Sequence, residues 1–475
     1  MATRKDQLQS HQFLGQRMAS ALVTREADPE QPPFRRPFLA AIGSTVIAGI
    51  ALAVVAVYGL VVPGGNKAWQ AGDAVIVEKE TGTRYVYLSG RLHPVANYAS
   101  ALLALGKKAE TRRVSQRSLR DAPRGPRIGI VDAPDALPPA KQLLSGAWTL
   151  CSQPMVDATG ERTTESVLLV GAQPSSGRSL GATALLVDVV GTRDKYMISN
   201  GFRYKVDSTL AIQAGLALGA ETSARVGQAF VNGLPEGQPV VPVKVRAMGA
   251  PSTAIPHRKT RIGELFMVDT PSGVRQYYLA LADRLQLLTN LQYAVQLAAG
   301  DLKKAYPGKA PYPVKLAPTA LGRVQAPLDP VPAGTDGRLP QDRPAFARPA
   351  DESTICAAYG PGDTAPSIMI DAALPPRDPA MVTPKRGRQG TLLADRIIVP
   401  PGAAAVAEVM SSRRAPAGAV LIVTDMGRAY AVPDPDLLKL FGYEATQPVQ
   451  LPASLIARVP QGPGLDPAQA VRPTA

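Results

Sequence analysis

The sequence predicts an α+β protein that is mainly β: a single N-terminal transmembrane helix, then an extracytoplasmic region of four β-hairpin-containing repeats around a central β-sheet domain. Three observations predict it. A pattern of apolar strand, glycine turn and tyrosine strand occurs four times, one uncharged apolar stretch precedes all four copies, and two blocks lacking the pattern, each with one cysteine, interrupt the series.

The copies are residues 75–88, 185–198, 265–279 and 421–432. Each starts with an apolar triplet (Val75-Ile76-Val77, Leu185-Leu186-Val187, Leu265-Phe266-Met267, Leu421-Ile422-Val423) and turns at Gly82, Gly191, Gly273 or Gly427. Each then runs through Arg84, Arg193, Arg275 or Arg428 into Tyr85, Tyr196, Tyr277 or Tyr430. Apolar and aromatic flanks suit a half-buried pleated surface and glycine suits a tight turn, so each copy reads as a hairpin. A second shared segment follows at the two ends of the series, Pro123-Arg124-Gly125-Pro126 and Pro460-Gln461-Gly462-Pro463, with looser versions at 226–237 and 314–330. Unequal spacing between copies argues against a regular solenoid.

Residues 37–62 carry no charge and would form a helix of about 39 Å, longer than the ~30 Å hydrocarbon core of a bilayer. They span it. Gly43, Ser44, Ala48, Gly49 and Ala53 fall near one face, which suits close approach by another membrane helix, and plain apolar composition explains them equally well. The 36 mostly polar residues in front do not fit a cleaved signal peptide. Arg35 and Arg36 abut the stretch, so the positive-inside bias puts residues 1–36 in the cytoplasm and everything after the helix outside it. This is a single-pass plasma (inner) membrane protein on that reading. Within 1–36, apolar residues from Leu8 to Val23 predict an amphipathic helix over 5–23, ending before Asp28-Pro29, and its few basic residues favour a protein partner over the membrane surface.

Beyond the membrane the expected divisions are a first repeat at 71–131, an opening segment of the central domain at 132–181, a second repeat at 182–242 and a third at 262–332. A closing segment of the central domain follows at 333–417, with a Pro-rich linker at its start, and the fourth repeat with a tail occupies 418–475. Strands are expected near 148–151, 166–170, 354–359, 367–370 and 396–399, and the longest helical pattern outside the membrane covers 281–302. The two central segments would pair into one sheet flanked by the repeats in two pairs. Cys151 and Cys356 sit one in each segment, in apolar runs. An oxidising compartment favours a disulfide between them, the alternative being two buried reduced thiols.

Net charge is +14; six basic and four acidic residues precede position 37, which leaves +12 beyond it. That surplus suits anionic surfaces such as membrane lipid or acidic envelope polymers. With only 24 aromatics and no recognition-helix or zinc-finger pattern, no nucleic acid partner is expected. Two cysteines and the scattered His11, His93 and His257 offer no metal cluster, and no G-x-x-x-x-G-K-[ST] cradles a phosphate, so no metal, cofactor or catalytic residue is assigned. Gly177-Arg178-Ser179-Leu180-Gly181 matches G-x-S-x-G, but a loop before it and a strand after it reverse the context of a nucleophile elbow, which leaves a hydrophilic turn. The stretch 107–127 holds eight basic residues against two acidic; it suits lipid headgroups, an acidic neighbour, or simply a solvated face.

Several motifs, in order, resemble one family, the EccB subunits of the actinobacterial type VII (ESX) secretion system. They are Gln7-Leu8-Gln9-Ser10-His11-Gln12-Phe13-Leu14 with Arg17 and Ala21-Leu22; Ala122-Pro123-Arg124-Gly125-Pro126-Arg127-Ile128-Gly129-Ile130 with Ala133-Pro134; Pro400-Pro401-Gly402; Val423-Thr424-Asp425-Met426-Gly427-Arg428-Ala429-Tyr430; and Pro460-Gln461-Gly462-Pro463-Gly464-Leu465-Asp466. Gln12 and Gln16 stand where the family tends to be basic. The resemblance implies a membrane core component that assembles with the EccC ATPase, EccD and EccE near the mycosin protease. It also implies an elongated, propeller-like outer region, self-association through it, and a disulfide at the cysteine positions. Some members have been assigned ATPase activity, for which this chain lacks the usual nucleotide motif.

The leading expectation is therefore a structural subunit that builds the extracytoplasmic portion of a secretion complex. The alternatives are an extracytoplasmic nucleotide hydrolase, which predicts turnover abolished by a substitution in a basic cleft, and an envelope-binding module, which predicts salt-sensitive sedimentation with purified cell wall.

Overall fold

Each repeat copy forms its hairpin because the apolar triplet and the tyrosine strand face each other across the ladder: Ile76 lies opposite Tyr85, Val187 opposite Tyr196, Met267 opposite Tyr277 and Ile422 opposite Tyr430. The computed structural model describes residues 3–25, 35–61, 67–321, 325–326, 337–378, 382–410 and 418–474. They divide into two units: Met1–Gln70 with Glu78–Thr81 and Arg113–Ala122, and Ala71–Val77 with Gly82–Arg112 and Pro123–Ala475. The fold is mostly β, in several sheets, with helices few and mostly short.

Hairpins alone would leave both edges open, and each gains at least two more strands. In the first three copies a third strand (Arg91–Pro94, Phe202–Val206 or Leu285–Leu288) pairs antiparallel with the tyrosine strand. A fourth strand (Glu110–Val114, Ser223–Val226 or Val314–Lys315) lies on the other side of the hairpin, parallel to it in the second and third sheets. The last sheet has the same plan but a different correspondence. Its order is Ala429–Val432, Val420–Thr424, Ala404–Met410, Val449–Pro452, with the last two parallel. The 421–432 hairpin thus supplies the second and third strands, not the first and second, and Ala404–Met410, which the sequence pattern places in the central domain, is the first strand. Three similar apolar strands joined by turns look alike in one dimension, so the repeat pattern aligns this copy one strand out.

The second shared segment docks on the third strand. Leu92, Arg203 and Ala429 each donate an N–H to a proline carbonyl (Pro123, Pro235, Pro460) and accept from the glycine two residues later (Gly125, Gly237, Gly462). The next residue on the strand, His93, Tyr204 or Tyr430, lays its ring where a Cβ on that glycine would be. Gly237→Ala should therefore force Tyr204 or the backbone aside and lower stability by about 1–3 kcal/mol. A shift in urea midpoint measures it, and an unchanged midpoint would show the slot to be slack. In the third sheet the corresponding pairing joins Leu285 to Gln325 and Gln286 to Ala326, so neither the aromatic nor the glycine is present there.

The helix expected over 281–302 is corrected. Leu285–Leu288 is a strand, Asn290–Leu297 an α-helix and Gly300–Ala305 a 3-10 turn. Thr289 makes the break: its hydroxyl accepts from the Gln292 N–H at 3.0 Å while the Gln292 side chain accepts from the Thr289 N–H at 3.0 Å, a capping box that starts a new helix there.

A six-stranded central sheet is drawn from two distant stretches, in the order Arg396–Ile398, Arg162–Leu169, Trp148–Val156, Ile355–Tyr359, Ser367–Ala373, Ser176–Ser179. One apolar core packs Trp148, Leu150, Leu168 and Tyr359 of this sheet with Leu185 and Val187 of the second sheet and Val423 and Leu451 of the fourth. The first and fourth sheets share another, around Val75, Val86, Val406 and Ile422. The second sheet packs Leu186, Met197 and Tyr204 against Leu291 and Val295 of the Asn290–Leu297 helix.

Candidate functional site

In the first unit, α1 (Arg4–Thr24) and α2 (Arg35–Val61) hold the two N-terminal segments. Their expected ends at Asp28-Pro29 and Val62 lie outside the described residues. The amphipathic expectation for α1 is corrected in detail: at 100° per residue Leu8, Phe13, Leu14, Met18, Leu22 and Val23 spread over most of the circumference instead of gathering on one stripe, and all six are exposed. Within α2, Pro37–Tyr58 is long and apolar enough to cross a bilayer. Its large side chains, Phe38, Leu39, Val46, Ile47 and Ile50 among them, are exposed all round, an arrangement that only an apolar surrounding would stabilise. Ser44 and Thr45 donate to the Ala41 carbonyl at 2.9 and 2.8 Å, so neither hydroxyl is left unpaired in hydrocarbon.

In the second unit the structure brings the two predicted site residues together. Cys151 and Cys356 face each other across neighbouring antiparallel strands and are bonded, with a Cα–Cα distance of 4.0 Å. Both are fully buried. Nearby on the same sheet lies an ion pair that sequence reasoning misses. Glu165 faces Arg396 at 3.1 Å and Arg377 at 3.5 Å, and Arg396 is 1% exposed. Sequence spacing offers no signal for it, because the partners are more than 200 residues apart; beside it Asp395 accepts from the Ser166 N–H and hydroxyl at 2.7 and 2.6 Å and ties the same strands.

The decoy serine is corrected from a turn to an edge strand. Ser176–Ser179 pairs with Ser367–Ala373, and Ser179 is exposed there with its hydroxyl accepting from the Gly181 N–H. A small void of about 10 Å³, room for roughly one water, is lined by Met197, Val206, Leu216, Leu291, Phe346 and Arg343. The Arg343 guanidinium is engaged by Glu221 and the Leu216 carbonyl, so the lining is apolar and built for packing, not for a phosphate. No group of three metal-ligating side chains occurs among the described residues. The basic stretch 107–127 does not act as one patch: in the second unit Lys108 pairs with Glu444, Arg112 with Asp73, and Arg124 stacks on Tyr85, while Arg113, Arg117 and Arg120 belong to the first unit.

Burial raises the Tyr204 and Tyr306 hydroxyls to about 12. An unfolded tyrosine ionises near pH 10, so their neutral forms stabilise the fold fully below that pH, and the contribution is lost as pH rises from about 10 through 12. Tyrosinate absorbance and circular dichroism followed together with pH should show these two residues ionising with base unfolding; ionisation near pH 10 in the folded protein would contradict it.

With this geometry in place, comparison with known proteins is decisive. A family model described as type VII secretion system ESX-1, transport TM domain B (EccB) matches residues 1–474. The chain belongs to the EccB family. Among curated members, the ESX-2 secretion system ATPase EccB2 of Mycobacterium tuberculosis is 26% identical over 422 residues, covering 85% of this chain and 80% of that protein. The ESX-3 secretion system ATPase EccB3 of the same species is 24% identical over 496 residues, 98% of this chain and 89% of that one. Two solved structures share the fold. A chain of an intact ESX-5 inner membrane complex aligns with a TM-score of 0.56 at 23% identity, covering 100% of this chain and 96% of that chain. The EccB3 dimer from the ESX-3 core complex aligns at 0.57 and 21%, covering 84% and 100%.

Proposed function

We propose that this EccB-family chain is a structural subunit of a type VII secretion membrane complex, held in the inner membrane by α2 and contributing to the periplasmic assembly. The family match over residues 1–474 carries the reading. Support comes from the solved relatives, described as an ESX-5 inner membrane complex, its periplasmic assembly, and a dimer. The finer assignments follow from the same reading: residues 1–36 face the cytoplasm, the sheets form a propeller-like body around the central sheet with the divisions given above, copies of the chain associate through it, and the partners are EccC, EccD and EccE with mycosin nearby.

The curated relatives carry ATPase in their names. For this chain we favour transport energy supplied by another subunit, since its sequence lacks the usual phosphate-cradling motif and the cavity described is apolar. Detergent extraction and affinity capture of the full chain test the proposal. Co-purification of an FtsK-like ATPase and a polytopic partner is expected, and recovery of a lone monomer would overturn it.

A further inference from the structure

The juxtamembrane region of the first unit carries a cluster of arginines that no carboxylate among the described residues answers. After α2 the described chain resumes at Lys67, and the short turn Ala68–Ala71 buries Trp69, whose indole N–H donates to the Ser118 hydroxyl at 3.4 Å. That contact fastens the membrane exit to the short helix Gln116–Leu119. Two further bonds tie the 78–81 segment to the same stretch: the Lys79 N–H donates to the Val114 carbonyl at 2.9 Å, and the Gln116 N–H to Glu80 at 2.8 Å. Ser118 and Leu119 turn inward, which leaves Arg117 and Arg120, three residues apart, exposed with Arg113.

Some arginines elsewhere, Arg84, Arg112, Arg203 and Arg275, each face a carboxylate. Arg113, Arg117 and Arg120 have no salt bridge among the described residues. Lys67 and Lys79 are also exposed, and the acidic groups beside them in the unit are Glu78, which is buried, Glu80 and Asp121. Trp69 lies eight positions beyond Val61, the end of α2, so the turn against which the 113–120 segment is fastened is at most ~28 Å from the end of the helix.

We propose that Arg113, Arg117 and Arg120 bind anionic phospholipid headgroups of the leaflet at which α2 emerges. The inference rests on α2 crossing a bilayer, and that bilayer decides between ligands: it is present at this tether length in every molecule, whereas an acidic protein would have to be recruited. Arginine forks pair bidentately with phosphate, and each cation near an anionic surface strengthens binding about fivefold, so three are worth on the order of a hundredfold.

The test reconstitutes the full chain in nanodiscs of phosphatidylcholine alone or with phosphatidylglycerol, for wild type and for Arg113→Gln/Arg117→Gln/Arg120→Gln. Native mass spectrometry should show wild type retaining phosphatidylglycerol over phosphatidylcholine, and the triple variant losing at least tenfold of that preference. Hydrogen exchange over 113–120 should slow in the anionic discs for wild type only. Equal preference in the two proteins, or protection of 113–120 that needs a bound protein and not anionic lipid, would overturn the proposal. A chain that fails to co-elute with discs would overturn the membrane reading itself, an outcome distinct from insertion without lipid preference.

Discussion

Serine at both Cys151 and Cys356 is expected to lower stability by about 2–5 kcal/mol, with the same loss when the wild type is reduced before unfolding. The bond joins strands Trp148–Val156 and Ile355–Tyr359, neighbours in the central sheet, across a sequence separation of 205. On the chain-entropy model a loop of that length confines the unfolded chain by about 5 kcal/mol, near the top of the range for single disulfides. Urea unfolding with and without reductant, followed by near-ultraviolet circular dichroism, reads the loss. Reductant should leave the double variant unchanged. Coincident midpoints for oxidised and reduced wild type would show that the six-stranded sheet holds its two halves without help from the bond.

The second large effect is expected at Glu165. Removing its carboxylate by Glu165→Ala strands the guanidinium of Arg396, which is 1% exposed and has Nε and Nη2 without a hydrogen-bond partner among the described residues. A buried charge that loses its counter-ion costs about 3–5 kcal/mol, whereas replacing both partners with apolar residues is often neutral or better. Glu165→Ala should therefore shift the urea midpoint strongly, and Glu165→Leu with Arg396→Leu should recover most of the shift. If the single substitution cost under about 1 kcal/mol, solvent would have to reach Arg396, in conflict with its burial.

Much of this is legible in one dimension. The hairpins follow from apolar triplets and turn glycines such as Gly191 and Gly273, which adopt φ of 79° and 81°. The central strands follow from short apolar runs bounded by turns. Family membership follows from motifs in order along the chain. Less legible are the third strands: Arg91–Pro94 is polar at half its positions, and Leu285–Leu288 merges with the helix after it, because a four-residue apolar run has no period long enough to tell strand from helix. The Pro-x-Gly segments stand out as a motif, but their seat on His93, Tyr204 and Tyr430 depends on pairings that span about 30 residues.

By itself, then, the sequence determined what short-range chemistry can determine: one helix too apolar for water, four hairpins, and two cysteines placed in separate apolar blocks. Tertiary structure decided which strands share a sheet. It assigned Ala404–Met410 to the fourth sheet, set Cys151 opposite Cys356, and paired Glu165 with Arg396. The physical reason is that strand pairing and buried ion pairs draw their free energy from neighbours hundreds of residues away, and no local pattern encodes those neighbours.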